Sequence, residues 1–583
     1  MAFSPVSMSK VNLFIQADKT KEILNVLYDL KLVQFFDLKK DEFEKFEHND
    51  LNDISHELLQ TRSSIRLLKD YFKVNTNKHV DTAIEDILKT KTKLDDLSKK
   101  EIAQSHEVKQ TKILTQLKVK SSDIGNEDLK IGFLPLNKKS KLNTLVKSGI
   151  KFNSFSTGNR VYFVCKTKKK LSFEFKELYI PKSLDENLSS KLEKTRNSIK
   201  KANLDLRNLA NNNLEHLRSR EHQLTKELEI LESRPAFAKT QNIVIISGHM
   251  PTNKTRKLRV ELVRVLSDKF ELSIEKATDE NTPIQLNHGQ SVGNFVELLK
   301  MYSLPKYNEI DPTFFMFLTF PLFFGFILGD VIYGLISLLI FTIMKAKMPK
   351  IKSFLSILQF SAASSIFFGI LFGEFMGYEI HGAFYGLMAR SQEAEALLGI
   401  AVVFGLLHIN LGLILGFVNE LTNGHTKKAI CDKLSYIVMQ VGVGLLGYGI
   451  YMSSNLLTII GAVVLFLAAA LIYMGHGFIG IMEIPSFFTN ILSYARLMAV
   501  GLSSVVIAML INDYSATFFA AGPLGVVGAI ILFSFGHAFN IGLGNFEGFV
   551  HTLRLHYVEQ MTKFYSGGGE EFVPFGKRKL EQE

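Results

Sequence analysis

Residues 434–475 contain no Asp, Glu, Lys or Arg. Crossing a bilayer core takes about 20 consecutive apolar residues, and this run holds two such lengths, 434–453 and 455–475. It has apolar neighbours at 313–344, 353–377, 395–418, 485–512 and 522–556. The charged residues lie elsewhere. Of 68 Lys and Arg residues, 54 precede residue 311, as do 41 of the 57 acids. The chain therefore reads as a charged, soluble first half of net charge +13 joined to a nearly neutral membrane half.

In the first half, VNLFIQA (11–17) and LVQFFDL (32–38) read as strands and KEILNVLYDL (21–30) as a helix. A helical seam follows. Ile54, Leu58, Thr61, Ile65, Leu68 and Phe72 step by four and three, and helical signal runs on to about 118. KIGFLPL (130–136) and VYFVCKT (161–167) read as strands with a helix between them. After Pro181 a second seam runs through Leu192, Thr195, Ile199, Ala202, Leu206 and Leu209. It shifts near Asn213, in the manner of a four-residue stutter, and resumes at Leu217, Leu224, Leu228 and Leu231. Arg234-Pro235 is the expected stop. NIVIISGHMP (242–251) and FELSIEKA (270–277) are further strands around a helix.

Two seams separated by a globular insert pair most simply as an antiparallel coiled coil. About 55 residues per helix would span roughly 80 Å. The expectation is an N-terminal α+β cytoplasmic arm over 1–305. Its proximal lobe takes 1–45 and 238–290, its coiled coil 47–118 and 183–235, and its distal lobe 120–181. The alternative is a helical bundle that folds back on itself. The transmembrane domain takes 306–583.

Positive connectors stay on the cytoplasmic side. KAKMPKIK (345–352) holds four lysines and TNGHTKKAICDK (422–433) three, and the tail GKRKLEQE begins basic. The connector 378–394 has one Arg and a majority of acids at and around it, Glu379, Glu393 and Glu395. One crossing over 313–344 would put the four-lysine connector outside. Breaking that block at Gly329-Asp330 gives about eight crossings with every basic connector inside, and sets Asp330 at a hairpin tip where its charge is cheap. The N-terminal MAFSPVSMSKVNLF lacks the apolar core of a signal peptide, so both termini are expected in the cytoplasm.

Two arginines stand in the last two apolar blocks, Arg496 and Arg554. Placing Arg in a span costs about 2.5–3.5 kcal/mol on insertion scales, and a guanidinium keeps its proton. Consecutive antiparallel crossings would bring the two to similar depth. Two cations repel, so an anion must visit them or sit between them. The chain offers Glu547, one or two turns from Arg554, and Glu483, thirteen residues before Arg496, with Ser503, Ser504 and His551 as polar neighbours. Arg554 has a second reading, snorkelling to the inner surface. His556 and Glu559 read as interfacial, and His476 and His537 as plain polar contacts.

Other chemistry is excluded. There is no G-x-x-x-x-G-K and no G-x-G-x-x-G between strand and helix, hence no nucleotide site. Cys165 and Cys431 make no metal or disulfide pattern. No cofactor and no metal is expected. Lysines interleaved with acids are solvated helix faces, and nucleic acid is not an expected partner.

SYARLMAVGLSS (493–504) and HTLRLHYVEQMTKFYSGGGEEFVPF (551–575) resemble the end of the large membrane subunit, called a or I, of the rotary V-type and A-type ATPases. LPKYNEIDPTFFMFLTFPLFFGFILGDVIYGLI (304–336), FFGILFGEFMG (367–377) and GHAFNIGLG (536–544) are similar too. The resemblance covers the membrane half; the soluble half matches in layout, with SGHMP (247–251) where the family commonly shows Gly-Trp-Val-Pro. It implies an α-helical polytopic membrane domain whose last two helices are long and tilted. It also implies a non-rotating stator. Arg496 and Arg554 would meet the carboxylate of a rotating proteolipid ring, and Glu483, Ser503, Ser504, Glu547 and His551 would line ion half-channels. The acid of the eukaryotic last helix corresponds to Gly544 here. Implied partners are the ring, peripheral-stalk subunits of the E/G type, central-stalk-linked subunits and the lipid bilayer. The chain lacks the long membrane-loop inserts of vacuolar forms, so a bacterial or archaeal cell membrane is expected. The ion, H+ or Na+, is open. The alternative is a secondary transporter with a regulatory cytoplasmic arm; such proteins often show internal repeats, and 313–418 and 434–556 share none.

Overall fold

The structure is a computed structural model. It describes residues 4–36, 51–72, 84–119, 128–168, 171, 174–178, 187–233, 237–240, 242–267, 269–380 and 386–577. The stop at Arg234-Pro235 and most of the basic tail lie outside the described residues. The chain divides into two compact units, Phe46–Arg234 and the combination of Met1–Lys45 with Pro235–Glu583.

In the unit Phe46–Arg234, α2 (Leu51–Lys69) and α3 (Ile84–Gln116) lie against α5 (Leu188–Ser233). Arg62 pairs with Glu221 at 2.9 Å, and Glu57 with Arg220 at 2.8 Å. Towards the other end of α5, Arg196 meets Glu101 at 2.8 Å. Rising numbers on one strand of helix meet falling numbers on the other, so the packing is antiparallel. These ion pairs are partly or fully exposed and hold little. Cohesion comes from Leu68, Ile87, Leu94, Ala202, Leu206, Ala210, Leu214 and Leu217, which form a buried cluster. After Leu206 the seam on α5 therefore falls one residue later than the sequence pattern suggests. Ala210 is fully buried while Leu209 is only partly so.

At the end of α3 stands an antiparallel sheet of order β4-β5-β3-β6, built from β3 (Leu129–Pro135), β4 (Phe152–Thr157), β5 (Arg160–Lys166) and β6 (Lys176–Glu177). Both faces of β5 are covered. Val161, Phe163 and Cys165 pack with Leu142 and Leu145, the latter on α4 (Asn143–Lys147). Tyr162 and Val164 pack with Leu114 and Leu117. A strand buried on both faces reads as a continuous apolar run. The single helix expected between the strands is short, and β4 accompanies it.

The second unit begins with a sheet of order β2-β8-β1-β9. Its strands are β1 (Met8–Gln16), β2 (Gln34–Phe35), β8 (Ile243–Pro251) and β9 (Phe270–Lys276), and β7 (Ala238–Lys239) pairs with β8. Helices α1 (Thr20–Leu30) and α6 (Thr255–Leu266) touch, burying Ile23, Leu24 and Leu27 on one and Leu258 and Leu262 on the other. His249 is buried in β8 with its ring 4.8 Å from Phe36. Burial, and then the neighbouring Lys10 ammonium, hold its imidazole below the ordinary value, against a weaker pull from Asp279. The folded lobe thus prefers the neutral ring. Its contribution is complete above about pH 6.5 and is lost as pH falls below that value. Hydrogen exchange of the β8 amides, corrected for intrinsic rate, is expected to quicken below about pH 6.5 in the native chain, and not in His249→Phe.

Short helices α7 (Gln290–Gly293) and α8 (Val296–Tyr302) lead into the apolar half. Among the described residues, six helical segments are long and apolar enough to cross a membrane: Pro349–Phe372, Ala394–Thr422, Thr426–Tyr451, Asn455–Met482, Ile484–Ala520 and Pro523–Lys563. They contain α11 (Lys352–Phe372), α12 (Ala394–Thr422), α13 (Thr426–Lys428), α14 (Ser435–Tyr451), α15 (Asn455–Met482), α16 (Ile484–Leu492), α17 (Ala495–Ala520) and α18 (Pro523–Arg554). Before them come two shorter apolar helices, α9 (Thr313–Leu328) and α10 (Val331–Lys347). Both pack along α11, in opposite directions. Phe317 sits by Phe360 and Phe326 by Phe372, whereas Lys345 reaches back to Gln359. The chain reverses at Gly329-Asp330. Glycines permit the close approach: a Cβ on Gly369 would meet the Val331 nitrogen at 2.4 Å.

Two charged residues lie deeper than the sequence reading places them. Asp330 is 4% exposed, not a cheap charge at an open tip. Its carboxylate accepts from the Tyr333 amide at 2.9 Å, capping α10, and from the Met376 amide. Arg390, counted as the basic residue of an outer connector, is wholly buried. It pairs with Glu374 in the hairpin of β10 (Glu374–Phe375) and β11 (Tyr378–Glu379). It also donates at 2.8 Å to the carbonyls of Ile327 and Gly329, which end α9. A cation on the last carbonyls of a helix satisfies both their hydrogen bonds and the helix dipole.

After α18 the chain returns to the N-terminal lobe of the same unit. Gly567 and Gly568 take φ of +68° and +91°, which glycine adopts freely. Glu309 accepts from the Ser566 and Gly567 amides. Phe572 N donates to Ile284 O and Phe575 N to Val33 O, each at 2.8 Å. The Phe575 ring lies edge-on to Tyr28 and against Phe35.

Candidate functional site

α17 and α18 are consecutive and pack together, so the start of one and the end of the other share an end of the pair. Arg496 is in the first turn of α17, and Arg554 is the last residue of α18. Helix α18 continues into a π-turn, Leu555–Gln560. In an α-helix the residue five positions on from Arg554 would point roughly 140° away. The i→i+5 bonding of a π-turn returns it towards the same face. That residue is Glu559. Its Oε1 lies 3.7 Å from Arg554 Nε and 4.0 Å from Arg496 Nη1.

Glu559 is therefore the anion between the two cations. It is 1% exposed, not interfacial as the sequence suggests. The arginines are more open: 24% of the Arg496 side chain and 53% of the Arg554 side chain are accessible. Along the same stretch of α16, α17 and α18 the apolar Leu492, Val506, Phe546 and Val550 are exposed. Arg496 Nη1, Glu559 Oε2 and His551 Nδ1 are buried without a hydrogen-bond partner among the described residues. Buried polar atoms are nearly always paired, so three such atoms in one place mark a site whose bonding is left incomplete within this chain.

The other expected site residues fall into three groups. His551 stands one turn before Arg554 and within electrostatic reach of both arginines. Glu547, two turns before Arg554 on the same face of α18, is half-buried, and Ser503, two turns beyond Arg496, is exposed with its hydroxyl on Val500 O. Ser504 turns inward, its Oγ 3.4 Å from Asn540 Oδ1. Glu483 is apart from the pair, exposed where α15 meets α16, and its electrostatic neighbours are Tyr436 and Lys563.

Sequence reasoning missed a buried polar chain farther along the same helices. Asn540 donates to Ser504 O at 2.9 Å and to Tyr333 OH at 3.0 Å. Tyr333 OH meets His537 Nδ1 at 2.7 Å, and His537 Nε2 meets Asn512 Oδ1 at 3.0 Å. Asn512 reaches Met376 O, beside Asp330. The available signal was Ser504 and Asn512, eight residues apart on one face of an apolar helix. A second missed cluster holds His556, also expected at the interface. It is fully buried, with Nε2 2.7 Å from Thr319 Oγ1 and its ring 4.7 Å from that of His408. His408 in turn meets Tyr494 OH at 2.6 Å. Among the described residues no group of three His, Cys, Asp or Glu side chains is placed to hold a metal ion.

A bundle of membrane-length helices carrying a paired-arginine centre, with an α+β portion before it, defines a membrane protein with two cations and one buried carboxylate gathered at one helix pair. The profile of the V-type ATPase 116kDa subunit family matches residues 149–388 and 487–576, and the second segment contains both arginines and Glu559. The chain belongs to that family. It is similar to the A-type ATP synthase subunit I of Methanothermobacter thermautotrophicus, with 31% identity over 370 residues, 60% of this chain and 55% of that one. The corresponding figures are 34% over 323 residues, 52% and 48%, for the Pyrococcus horikoshii protein. For that of Archaeoglobus fulgidus they are 30% over 436 residues, 63% and 62%. The chain spans about half the length of the curated relatives it matches.

Proposed function

We propose that this chain is the non-rotating membrane subunit of a rotary A/V-type ATPase and provides the surface past which a ring of carboxylate-bearing proteolipids turns. The observation that supports this most is the arginine pair, half-open on an apolar face and balanced by a single buried carboxylate. A permanent charge on a lipid-like surface is costly, and an anionic group arriving from a neighbouring subunit offsets that cost. The arriving carboxylate is favoured in its ionised form beside a cation. It therefore releases its proton or Na+ there, and takes one up again after leaving. A guanidinium cannot deprotonate, so it blocks direct leakage between the two aqueous half-channels.

Of the half-channel residues, Ser503, Glu547 and His551 stand on the arginine side, and Ser504 belongs to the buried chain through Asn540, Tyr333 and His537. Eight crossings are reached when α9 and α10 each cross as a short span, which tilt or partial shelter allows. The lysine-rich connectors then lie in the cytoplasm with both termini. Residues 1–305 act as a stator arm, with the antiparallel helices as a coiled-coil strut and peripheral-stalk subunits held at its lobes. The complex couples H+ or Na+ movement to ATP hydrolysis or synthesis. Affinity purification of the tagged chain from its native membrane in mild detergent tests the reading. The expected result is co-purification of a proteolipid ring, stalk subunits and nucleotide-binding subunits. Recovery of the chain alone, active in transporting a solute, would refute it.

A further inference from the structure

Where α10 ends and α11 begins, an open cleft of about 550 Å³ is lined by Gln290 and Asn294, by Lys345 from α10, and by Lys352, Ser356 and Gln359 from the start of α11. The arginine centre does not use it. No acidic side chain lines it, and among the described residues neither lysine has a carboxylate partner. One lysine is held in place: Lys345 Nζ donates to Gln359 Oε1 at 2.7 Å, and Gln359 Nε2 donates to Thr342 Oγ1 at 2.8 Å. A neutral amide thus positions an ammonium group whose charge stays uncompensated.

Ser291 and Ser353 add to the polar lining of the cleft, and two apolar residues complete it. Its floor continues along α11 to Phe360, which is 37% exposed, and to Ala363. Lys352 and Ala363 are eleven residues apart, about 16 Å along a helix. Ammonium groups and amide donors at the mouth, followed by an apolar wall running down a membrane-length helix, match an amphiphile with an anionic head. A free phosphate would leave the apolar wall unused. Basic pockets between membrane helices at the interface recognise lipid head groups by this chemistry. We propose that this cleft binds an anionic phospholipid, its phosphate between Lys345 and Lys352 and an acyl chain against Phe360 and Ala363.

The test uses the full chain reconstituted into phosphatidylcholine vesicles carrying a photo-crosslinkable phosphatidylglycerol, with labelled peptides mapped by mass spectrometry. Labelling is expected within 345–363, and to fall about thirtyfold in Lys345→Gln/Lys352→Gln, the factor that follows from removing two ammonium groups near an anionic lipid head. Lys347→Gln/Lys350→Gln removes the same charge from the same connector outside the cleft, and is expected to label as the native chain does. Lys345→Arg/Lys352→Arg, which keeps the charge, is also expected to retain labelling. Equal loss in both glutamine pairs would reduce the effect to general membrane electrostatics and overturn the proposal. So would the absence of labelling in this segment, or its competition by inorganic phosphate, which would assign the cleft to a free anion.

Discussion

In the assembled complex, Arg496→Ala is expected to lower ATP-driven ion uptake into sealed vesicles by about a thousandfold, to background, while the subunits still co-purify. The magnitude follows from charge. A unit pair about 4 Å apart is worth about 4 kcal/mol at an effective dielectric constant of 20, and each 1.36 kcal/mol changes an ionisation equilibrium tenfold. Arg496 is the less exposed of the two cations, so its field is the less screened. Its Nη1 is buried 4.0 Å from Glu559 Oε1 and makes no hydrogen bond among the described residues. Arg554→Ala is expected to do less harm, because half of that side chain faces outward. Glu559→Gln separates positioning from charge. It keeps the volume but leaves two repelling guanidinium groups without their shared anion. It is expected to slow uptake and to shift the salt dependence, which loss of packing alone would not do. Unchanged coupled uptake in Arg496→Ala would remove that residue from the proposed role.

The membrane half was legible because apolar length is a local property. Counting charges located the apolar blocks, and a charge conflict located the reversal at Gly329-Asp330. The arginine pair was legible because charge inside an apolar run is conspicuous, and helix order dictates that the two ends meet. Glu559 was not, because ordinary helical spacing from Arg554 points it elsewhere and only a π-turn brings it back. Arg390 and Asp330 read as loop charges because the partners that bury them lie sixteen to more than sixty residues away, at the end of α9 and in the hairpin. Hydropathy sees a charged residue between apolar blocks and assigns it to water. The seam on α5 slipped for a related reason. Leu209 and Ala210 both suit a helix, and only the packing against α2 and α3 selects the alanine.

The largest stability effect is expected at Arg390. The guanidinium has five N–H donors in a fixed fork, and here it is fully buried. Nε takes Glu374 Oε1 at 2.8 Å, Nη1 takes Ile327 O at 2.8 Å, and Nη2 is shared between Glu374 and Gly329 O. Its face lies over Phe372. It thereby ties the end of α9 to the β10–β11 hairpin. Arg390→Ala would strand a buried carboxylate and free the last carbonyls of α9, at a cost of about 3–5 kcal/mol. Because the cost arises from the unpaired acid as much as from the lost contacts, Glu374→Gln in the same chain is expected to return part of it. Full recovery is not expected, since each unmet buried carbonyl still costs about 1–3 kcal/mol. Helix α17 supplies an independent test from the other side. A Cβ on Gly501 would meet Arg390 Nη1 at 2.4 Å and Ile327 O at 2.8 Å, so Gly501→Ala must displace the same guanidinium. Thermal midpoints of the purified chain in detergent are expected to fall in both single variants, and to rise again in the Arg390→Ala chain when Glu374→Gln is added. If Arg390→Ala cost less than about 1 kcal/mol, the range of a surface pair, the cation would not be what holds α9 to the hairpin.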